Sequence, residues 1–498
     1  MSGNGAGGIG LGVGAAGFVE AHGLYSDEQR AAAAEVEAKI AEAGLRTVRV
    51  ILVDQHGIPR TKHLSADAAI SAMRNGSDFS GAIYSLDTGN CVFPPAFAQG
   101  GGFGIDEFTG FPDISIVPDP TTFRILPWAD RTGWMLCDVY FSNGKPLPLD
   151  GRAVLRGQLA RLAERGYRCF SGLEVEFYVT RYVDEGRISL EGTGQPGPAP
   201  EVDVVERGYQ FLSDFRLDGA AAILEPLRDG LWDVGLPPRS IEDEWGPGQF
   251  EFTFGPMEGL HAADAMILFR STMKAVCNRM GMLASFMCWP KLPNFFPSGW
   301  HLHQSLVDAG GANAFVDDRE VLSPVGLQWV AGLLDHAKAM TVFGDPTINA
   351  YHRFRPYSFA PDRIGWAVDN RGALIRIQGG PGDSSTHVEN RMSEPAANPY
   401  LWLAANIAAG LDGMERNATP PPIVIGDPYA EEAELLPQSL GEAADELDGS
   451  ALYRSAFGDP LIDYLVMMKR AEVARHAAVG GDEEARDDWE MREYFEIY

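Results

Sequence analysis

Gly172-Leu-Glu-Val-Glu-Phe-Tyr178 alternates apolar and acidic residues. Strand side chains alternate sides with period two, so Glu174 and Glu176 share one face while Leu173, Val175 and Phe177 share the other. Three further stretches repeat the design. In Gly248-Gln-Phe-Glu-Phe-Thr-Phe254, Gln249, Glu251 and Thr253 oppose Phe250, Phe252 and Phe254. In Gly299-Trp-His-Leu-His-Gln-Ser305, His301, His303 and Ser305 line up, as do His387, Glu389 and Arg391 in His387-Val-Glu-Asn-Arg391. Four strands, each with one apolar side and one side of metal-ligand or phosphate-ligand chemistry, predict one polar cavity lined by one sheet. Carboxylates aimed at one place repel each other unless cations sit between them.

Outward from these strands, the chain divides near residue 145. Residues 1–17 read as a Gly-rich flexible tail, in which Gly8, Gly10, Gly12 and Gly14 follow no strand and so make no dinucleotide loop. In a first domain, 18–145, Ser26 caps an Ala/Glu-rich helix to Ala43. Thr47–Val53 reads as a strand ending in a turn at Asp54-Gln-His-Gly57. Strand-like pieces follow at Ile114–Val117 and Thr122–Leu126, and long Gly- and Pro-bearing loops lie between Gly89 and Pro120. A larger second domain, 146–498, holds all four polar strands. Its helices are expected at Leu149–Gly166, His261–Met280 and Pro324–Val342, with an acidic, solvated stretch at Ala430–Gly449. Strands and helices do not alternate regularly, which favours an antiparallel or mixed sheet of the α+β kind.

A net charge of −29 argues against nucleic acid or an anionic membrane as the main partner. An anionic substrate would need a local basic pocket, and the arginines from Arg353 to Arg391 are the candidates. Cys91, Cys137, Cys169, Cys277 and Cys288 show no Cys-x-x-Cys spacing and read as buried thiols of a reducing compartment. No apolar run approaches the roughly 20 residues that span a bilayer. The first residues lack a basic start, so the cytoplasm is the expected location.

Glu174, Glu176, Glu244, Glu251 and Glu389, with His301, offer five carboxylates and an imidazole. Such a set selects Mg²⁺ or Mn²⁺ over Zn²⁺. Any one of these glutamates alone reads as a surface or ion-paired residue; the joint pattern carries the reading. His303, taken alone, reads as structural. A second constellation gathers Arg353, Arg371, Arg376 and Arg391 near Asp369 and Asn370. Taken singly each arginine reads as a surface ion pair, but guanidinium forks also bind carboxylate and phosphate at two points. There is no Gly-x-x-x-x-Gly-Lys-Ser/Thr segment and no kinase motif set. ATP phosphates, if used, would be held by metals and arginines on the sheet, as in a two-metal phosphoryl-transfer enzyme.

In this order the segments resemble the glutamine synthetase superfamily of the bacterial class I type, from about residue 45 onward. The resemblance is carried by Gly172-Leu-Glu-Val-Glu-Phe, Glu244-Trp-Gly-Pro-Gly-Gln-Phe-Glu251, Ser298-Gly-Trp-His-Leu-His-Gln-Ser305, Asn349-Ala-Tyr-His-Arg353, Asp369-Asn-Arg371, Ile375-Arg376, Val388-Glu-Asn-Arg391 and Ala397-Asn-Pro-Tyr400. It implies a small β-grasp N-terminal domain and a large catalytic domain with a mostly antiparallel curved sheet flanked by helices. It also implies a homo-oligomer of hexameric rings, usually stacked as a dodecamer, with active sites between neighbours. Glu176, Glu244 and Glu251 would hold one Mg²⁺ or Mn²⁺, and Glu174, His301 and Glu389 another, two or three ions per site. Arg353 and Arg391 match the residues that hold glutamate and line the phosphoryl site, with Gly299 among the substrate positions. Arg371 and Arg376 match phosphate contacts, and Ser305 a contact to ATP. The implied chemistry is phosphorylation of the γ-carboxylate of glutamate by ATP, then attack by an unprotonated nitrogen nucleophile on γ-glutamyl phosphate.

Three departures bear on the nucleophile. Ammonia-using members read Arg-x-x-Pro-x-x-Glu-Ala-Pro, whereas this chain reads Arg353-Phe-Arg-Pro356-Tyr-Ser-Phe359-Ala-Pro361. Phe359 cannot attract ammonium by charge or accept a proton. An Asn-Gly-Ser-Gly segment is replaced by Phe296-Pro-Ser-Gly299. The Phe-Asp-Gly-Ser-Ser loop is absent, leaving Asp78 or Asp87, with Asp87 preferred, for the catalytic aspartate. Tyr429 lies near a tyrosine adenylylated in some members, but its flanks differ and that regulation is not implied. The expectation is an ATP-dependent ligase joining glutamate to a primary amine larger than ammonia. Phe295, Phe296, Trp300 and Phe359 favour an apolar or aromatic amine such as aniline. The rivals are an ordinary glutamine synthetase using ammonia and a catalytically dead member; the six metal-ligand positions argue against the second.

Overall fold

The computed structural model describes residues 16–183 and 196–498. Most of the expected tail, including its Gly-x-Gly pattern, lies outside the described residues.

The smaller sheet is built from β1 (Thr47–Val53), β2 (Pro59–Ser65), β3 (Ser77–Ser80), β4 (Asp113–Pro118), β5 (Arg124–Ile125) and β6 (Thr132–Tyr140). Its order is β2-β1-β6-β4-β3, with β5 beside β6. β1 and β6 run parallel, and the other pairs are antiparallel. A parallel central pair with antiparallel flanks, packed on the helix Ala66–Asn75, is a β-grasp arrangement. Ser26 caps the Asp27–Glu42 helix with the expected reciprocal bonds: its side chain accepts from Gln29 N–H, and the Gln29 side chain accepts from Ser26 N–H. The turn after β1 forms because Asp54 Oδ1 accepts from the backbone N–H of His56 and Ile58, each at 2.9 Å, while Gly57 takes a φ of +78°. Of the expected strand Thr122–Leu126, only Arg124–Ile125 is extended, because Pro120–Thr122 forms a 3₁₀ turn capped by Asp119.

The larger sheet contains β7 (Tyr167–Tyr182), β8 (Val202–Val204), β9 (Ser240–Asp243), β10 (Gln249–Thr253), β11 (Met257–Glu258), β12 (Met282–Ser285), β13 (Trp300–Asp308), β14 (Trp366–Val368), β15 (Ile375–Gln378) and β16 (His387–Asn390). Its main path is β14-β15-β16-β13-β7-β10-β9. Only β14 and β15 are parallel, so the sheet is mostly antiparallel as expected. The four polar stretches are consecutive neighbours, β16-β13-β7-β10.

Their apolar sides face helices. Phe269 of the Leu260–Arg279 helix packs edge-on against Phe177 of β7 at 5.6 Å and at a tilt against Phe252 of β10 at 5.7 Å. Behind β13 and β16, Asn406 of the Pro399–Glu415 helix accepts from both Gln304 (2.8 Å) and Asn390 (2.9 Å). One apolar core runs continuously through both sheets. Cys137, Cys169, Cys277 and Cys288 are buried in it as thiols, and Cys91 is partly buried. Two expectations are corrected. Pro324–Val342 is not one helix but two, Pro324–Asp335 and Ala337–Gly344, broken at His336, whose Nε2 lies 2.7 Å from Asp412. Ala430–Gly449 is not simply solvated, because its Leu440–Asp448 helix buries Leu440, Ala443, Ala444 and Leu447. Among the described residues, no helix is long and apolar enough to cross a membrane.

Candidate active site

Strand register brings the polar residues face to face. Glu251 of β10 pairs with Glu176 of β7, and Thr253 with Glu174. His301 of β13 pairs with Glu174. On the far side of β13, His303 pairs with Glu389 of β16, and Glu389 with Arg376 of β15. Glu244, just past β9, donates its backbone N–H to Gln249 O at 3.0 Å.

Two knots of ligand chemistry result. In the first, Glu174 is bridged to both histidines: His301 Nδ1 is 2.5 Å from Oε1, and His303 Nε2 is 3.1 Å from Oε2. His301 Nδ1 also lies 3.8 Å from Glu389 Oε1. Burial and the Arg391 charge hold the His301 ring down at about 4 despite Glu174, so at neutral pH its contact with Glu174 is a hydrogen bond from a neutral ring. Burial works to raise Glu174, but the bonds from His301 and His303 overcome it and keep the carboxyl low. Glu389 behaves alike: the Arg391 charge works against burial and helps hold it down at about 2. Arg391 Nη1 bonds its Oε1, while Arg376 Nη1 and Gln378 Nε2 each donate to Oε2 at 2.9 Å.

The second knot is the reverse. Burial first, then Glu174, Glu176 and Glu244, push Glu251 far above the ordinary carboxylate range. Burial and Glu176 push up Glu244. Glu176 is also raised by burial, in spite of Arg353 and the bond that Gly299 N–H donates at 3.0 Å. Three crowded carboxylates, Glu251 buried and Glu176 and Glu244 partly so, that cannot all ionise together are a donor set for hard cations. Ligand atoms of Glu174, Glu251 and His301 lie within 4.8 Å of one another, and so do those of Glu174, His303 and Glu389. The residues therefore fit divalent metal at two adjoining points.

Around the knots, Arg353 is buried and donates to two backbone carbonyls, Met392 O at 2.6 Å and Arg391 O at 3.0 Å. A Cβ on Gly299 would lie 2.7 Å from Arg353 Nη2 and 2.9 Å from His301 Nε2, so a side chain there would have to displace one or both. Arg391 donates Nε to Arg371 O at 3.1 Å and Nη2 to Phe359 O at 3.2 Å. Phe359 adopts φ 59° and is 62% exposed. Phe296 is half-open, with its backbone clasped by the Tyr178 hydroxyl. Ser305 stays on the His301–His303 face of β13, opposite Phe170.

Three sequence expectations sit less directly. The Arg371 side chain is exposed; its carbonyl, not its guanidinium, meets the cluster through Arg391. Asp87, the preferred candidate for the catalytic aspartate, is bonded elsewhere within its own chain. Its buried carboxylate accepts from Cys91 N–H at 2.8 Å and Arg475 Nε at 2.6 Å, and none of these bonds joins it to the acidic cluster. Asp78 is exposed on β3. His303, expected to be structural when taken alone, places its Nε2 3.1 Å from Glu174 Oε2 on the same face of the sheet; its place two residues after His301 is the available signal. Glu242, paired with Glu251, adds a further acid that sequence reasoning passed over.

A family model described as "Glutamine synthetase, catalytic domain" matches residues 148–494. A γ-glutamylanilide synthase from Acinetobacter is 43% identical over 496 residues, covering 96% of this chain and 99% of that protein. A glutamate–isopropylamine ligase from Pseudomonas is 29% identical over 482 residues, covering 95% of this chain and 100% of that protein. Among solved structures, ligand-free GmaS superimposes with a TM-score of 0.75 at 30% identity, covering 91% of this chain and 98% of that one.

Proposed function

This chain belongs to the glutamine synthetase family, and from that premise we propose that it joins the γ-carboxylate of glutamate to a primary amine, using ATP through γ-glutamyl phosphate and releasing ADP and phosphate. The observation that carries the reading is the cross-strand apposition of Glu176 and Glu251, with Arg353 buried beside Glu176: acids that need cations next to a guanidinium that can meet an anion. Glu176, Glu244 and Glu251 would hold one Mg²⁺ or Mn²⁺, and Glu174, His301 and Glu389 a second, with His303 completing its shell. When bound, the ions neutralise the phosphates and the charge that builds during phosphoryl transfer.

The chain's own residues do the rest. Arg353 and Arg391 receive the glutamate carboxylate and line the phosphoryl path, and Gly299 keeps room for them. Arg376, fixed by Glu389, faces the phosphates, with Arg371 at the exposed rim and Ser305 on the nucleotide side. Phe359 and Phe296 stand where ammonia-using relatives carry polar groups. With no acid at Phe359 to take its proton, the nucleophile has to arrive unprotonated. The identity to a relative named for anilide synthesis supports an aromatic amine. The subunits would form hexameric rings or a dodecamer in the cytoplasm; strongly exposed Phe97 (91%) and Ile425 (92%) support buried contacts between copies.

Glutamate labelled with ¹⁸O in its γ-carboxylate tests the intermediate. One label per amide formed is expected in the released phosphate. Cleavage of ATP to AMP and pyrophosphate, with phosphate unlabelled, would contradict it.

A further inference from the structure

A second cavity opens where the polar face of β7 ends. Tyr178 continues the row of Glu174 and Glu176. Its hydroxyl donates to Phe296 O at 2.9 Å and accepts from Phe296 N–H at 2.8 Å, and its ring stacks on Phe295 at 4.3 Å. Beyond it lies a space of about 760 Å³ whose lining includes Tyr209, Phe211, Trp245, Pro247, Pro293 and Phe296. Trp245 follows Glu244 directly, so one wall of this space is joined to the acidic cluster by a single peptide bond. The Trp245 ring stacks on Phe211 at 5.4 Å and 11°, and meets Phe296 at 6.3 Å and 50°.

These rings are withheld from the core. Tyr209 is 71% exposed and Trp245 51%. Large aromatics left open around a concavity mark a ligand site. The wall is also held in place against strain. Gln210, Leu212 and Asn294 all adopt positive φ, at 72°, 56° and 64°, which costs free energy unless the surroundings enforce it. The loop that carries Gln210 and Leu212 is tied down at both ends. Glu206 accepts from Gly208 N–H at 2.8 Å and Gly248 N–H at 2.6 Å. Arg216 clamps Glu206 Oε1 at 3.0 Å and Asp243 Oδ1 at 2.8 Å.

We propose that this cavity receives the substituent of the amine, and that its occupant is the aryl ring of a neutral arylamine, with ring substituents tolerated. The proposal rests on the glutamate–amine ligase reading. Among the described residues, the only charged group in the lining is Arg207. A polyamine would carry a second ammonium into a space that offers no carboxylate and one repelling guanidinium. An aryl ring instead finds aromatic faces to stack on. Arylamines are unprotonated at neutral pH, which suits a frame carrying Phe359 rather than an acid. The volume exceeds that of a benzene ring, leaving space for groups on it. In the reaction the nitrogen lone pair attacks the γ-carbonyl carbon. The C–N bond forms, the C–O bond to phosphate breaks, phosphate leaves with that electron pair, and the proton shed by nitrogen goes to the departing phosphate.

The test compares wild type with Phe211→Ala, Trp245→Ala and Trp245→Phe in the full chain. Glutamate-dependent phosphate release is followed with aniline, 4-isopropylaniline, putrescine and hydroxylamine. Wild type is expected to use both anilines and to reject putrescine. In the two alanine variants, kcat/KM for aniline relative to hydroxylamine is expected to fall about tenfold or more, the change carried by the KM for aniline, and Trp245→Phe is expected to recover most of it. An unchanged ratio in both alanine variants overturns the pocket. Wild-type turnover of hydroxylamine without either aniline also overturns it, while leaving the ligase reading standing. No phosphate release with any nucleophile removes the ligase reading and the pocket together.

Discussion

Gly299 is the residue on which the candidate site is most tightly drawn. It has no special backbone conformation to serve; its hydrogen side chain makes room, because a Cβ would sit 2.7 Å from Arg353 and 2.9 Å from His301. Gly299→Ala is therefore expected to push apart two groups aimed at the same cavity. We expect kcat to fall by about 100-fold or more, while circular dichroism stays unchanged and stability falls by only about 1–3 kcal/mol. Wild-type turnover in this variant would mean that Arg353 or His301 moves freely. Single residues of the site were legible because strand period fixes which side chains share a face, and Glu174, Glu176, Glu251, His301 and Glu389 follow from that alone. His303 is less legible, because one histidine on a strand carries little signal until its cross-strand partners are known. What the sequence does not show at Asp87 is its partner: a carboxylate in a loop says nothing about the arginine, Arg475, that approaches it from 388 residues away.

At the scale of elements, the helices behind the sheet set how closely the layers approach. The Pro324–Asp335 and Pro399–Glu415 helices cross at backbone contact: a Cβ on Gly332 would lie 2.0 Å from Ala409 O, and one on Gly410 would lie 2.3 Å from the Trp329 ring. Gly332→Ala is expected to destabilise the fold by about 3 kcal/mol, read as a lower denaturant midpoint; an unchanged midpoint would mean that the helices separate cheaply. None of this was legible, since glycine in a helix pattern does not announce which backbone it touches. β6 was missed for another physical reason. All nine residues of Thr132–Tyr140 are buried, and a strand covered on both faces loses the period-two alternation that identified β7 and β10. The expected single helix over Pro324–Val342 failed at His336, where the bond to Asp412 accompanies a break that apolar periodicity does not register.

At the scale of the whole molecule, the acidic knots tie stability to pH and to metal. Glu176, Glu244 and Glu251 are raised above their ordinary value in the folded chain. The folded state then binds more protons than the unfolded one, so their contribution is present below the ordinary glutamate range and is lost as pH rises through neutrality. Glu389, held down at about 2, has the opposite sign and loses its contribution only in acid. In EDTA, Tm is thus expected to fall between pH 6 and pH 8.5. Added Mn²⁺ is expected to raise Tm more at pH 8.5 than at pH 6, since the carboxylates that bind it must be deprotonated. An equal rise at both values would contradict a carboxylate-held metal. The central claim is tested most directly by phosphate release from ATP with glutamate and Mg²⁺, comparing aniline with ammonia at neutral pH. Release with aniline, and little with ammonia, is the result expected. Release with ammonia alone would make this chain a glutamine-forming enzyme and would show that Phe359 does not select the nitrogen donor.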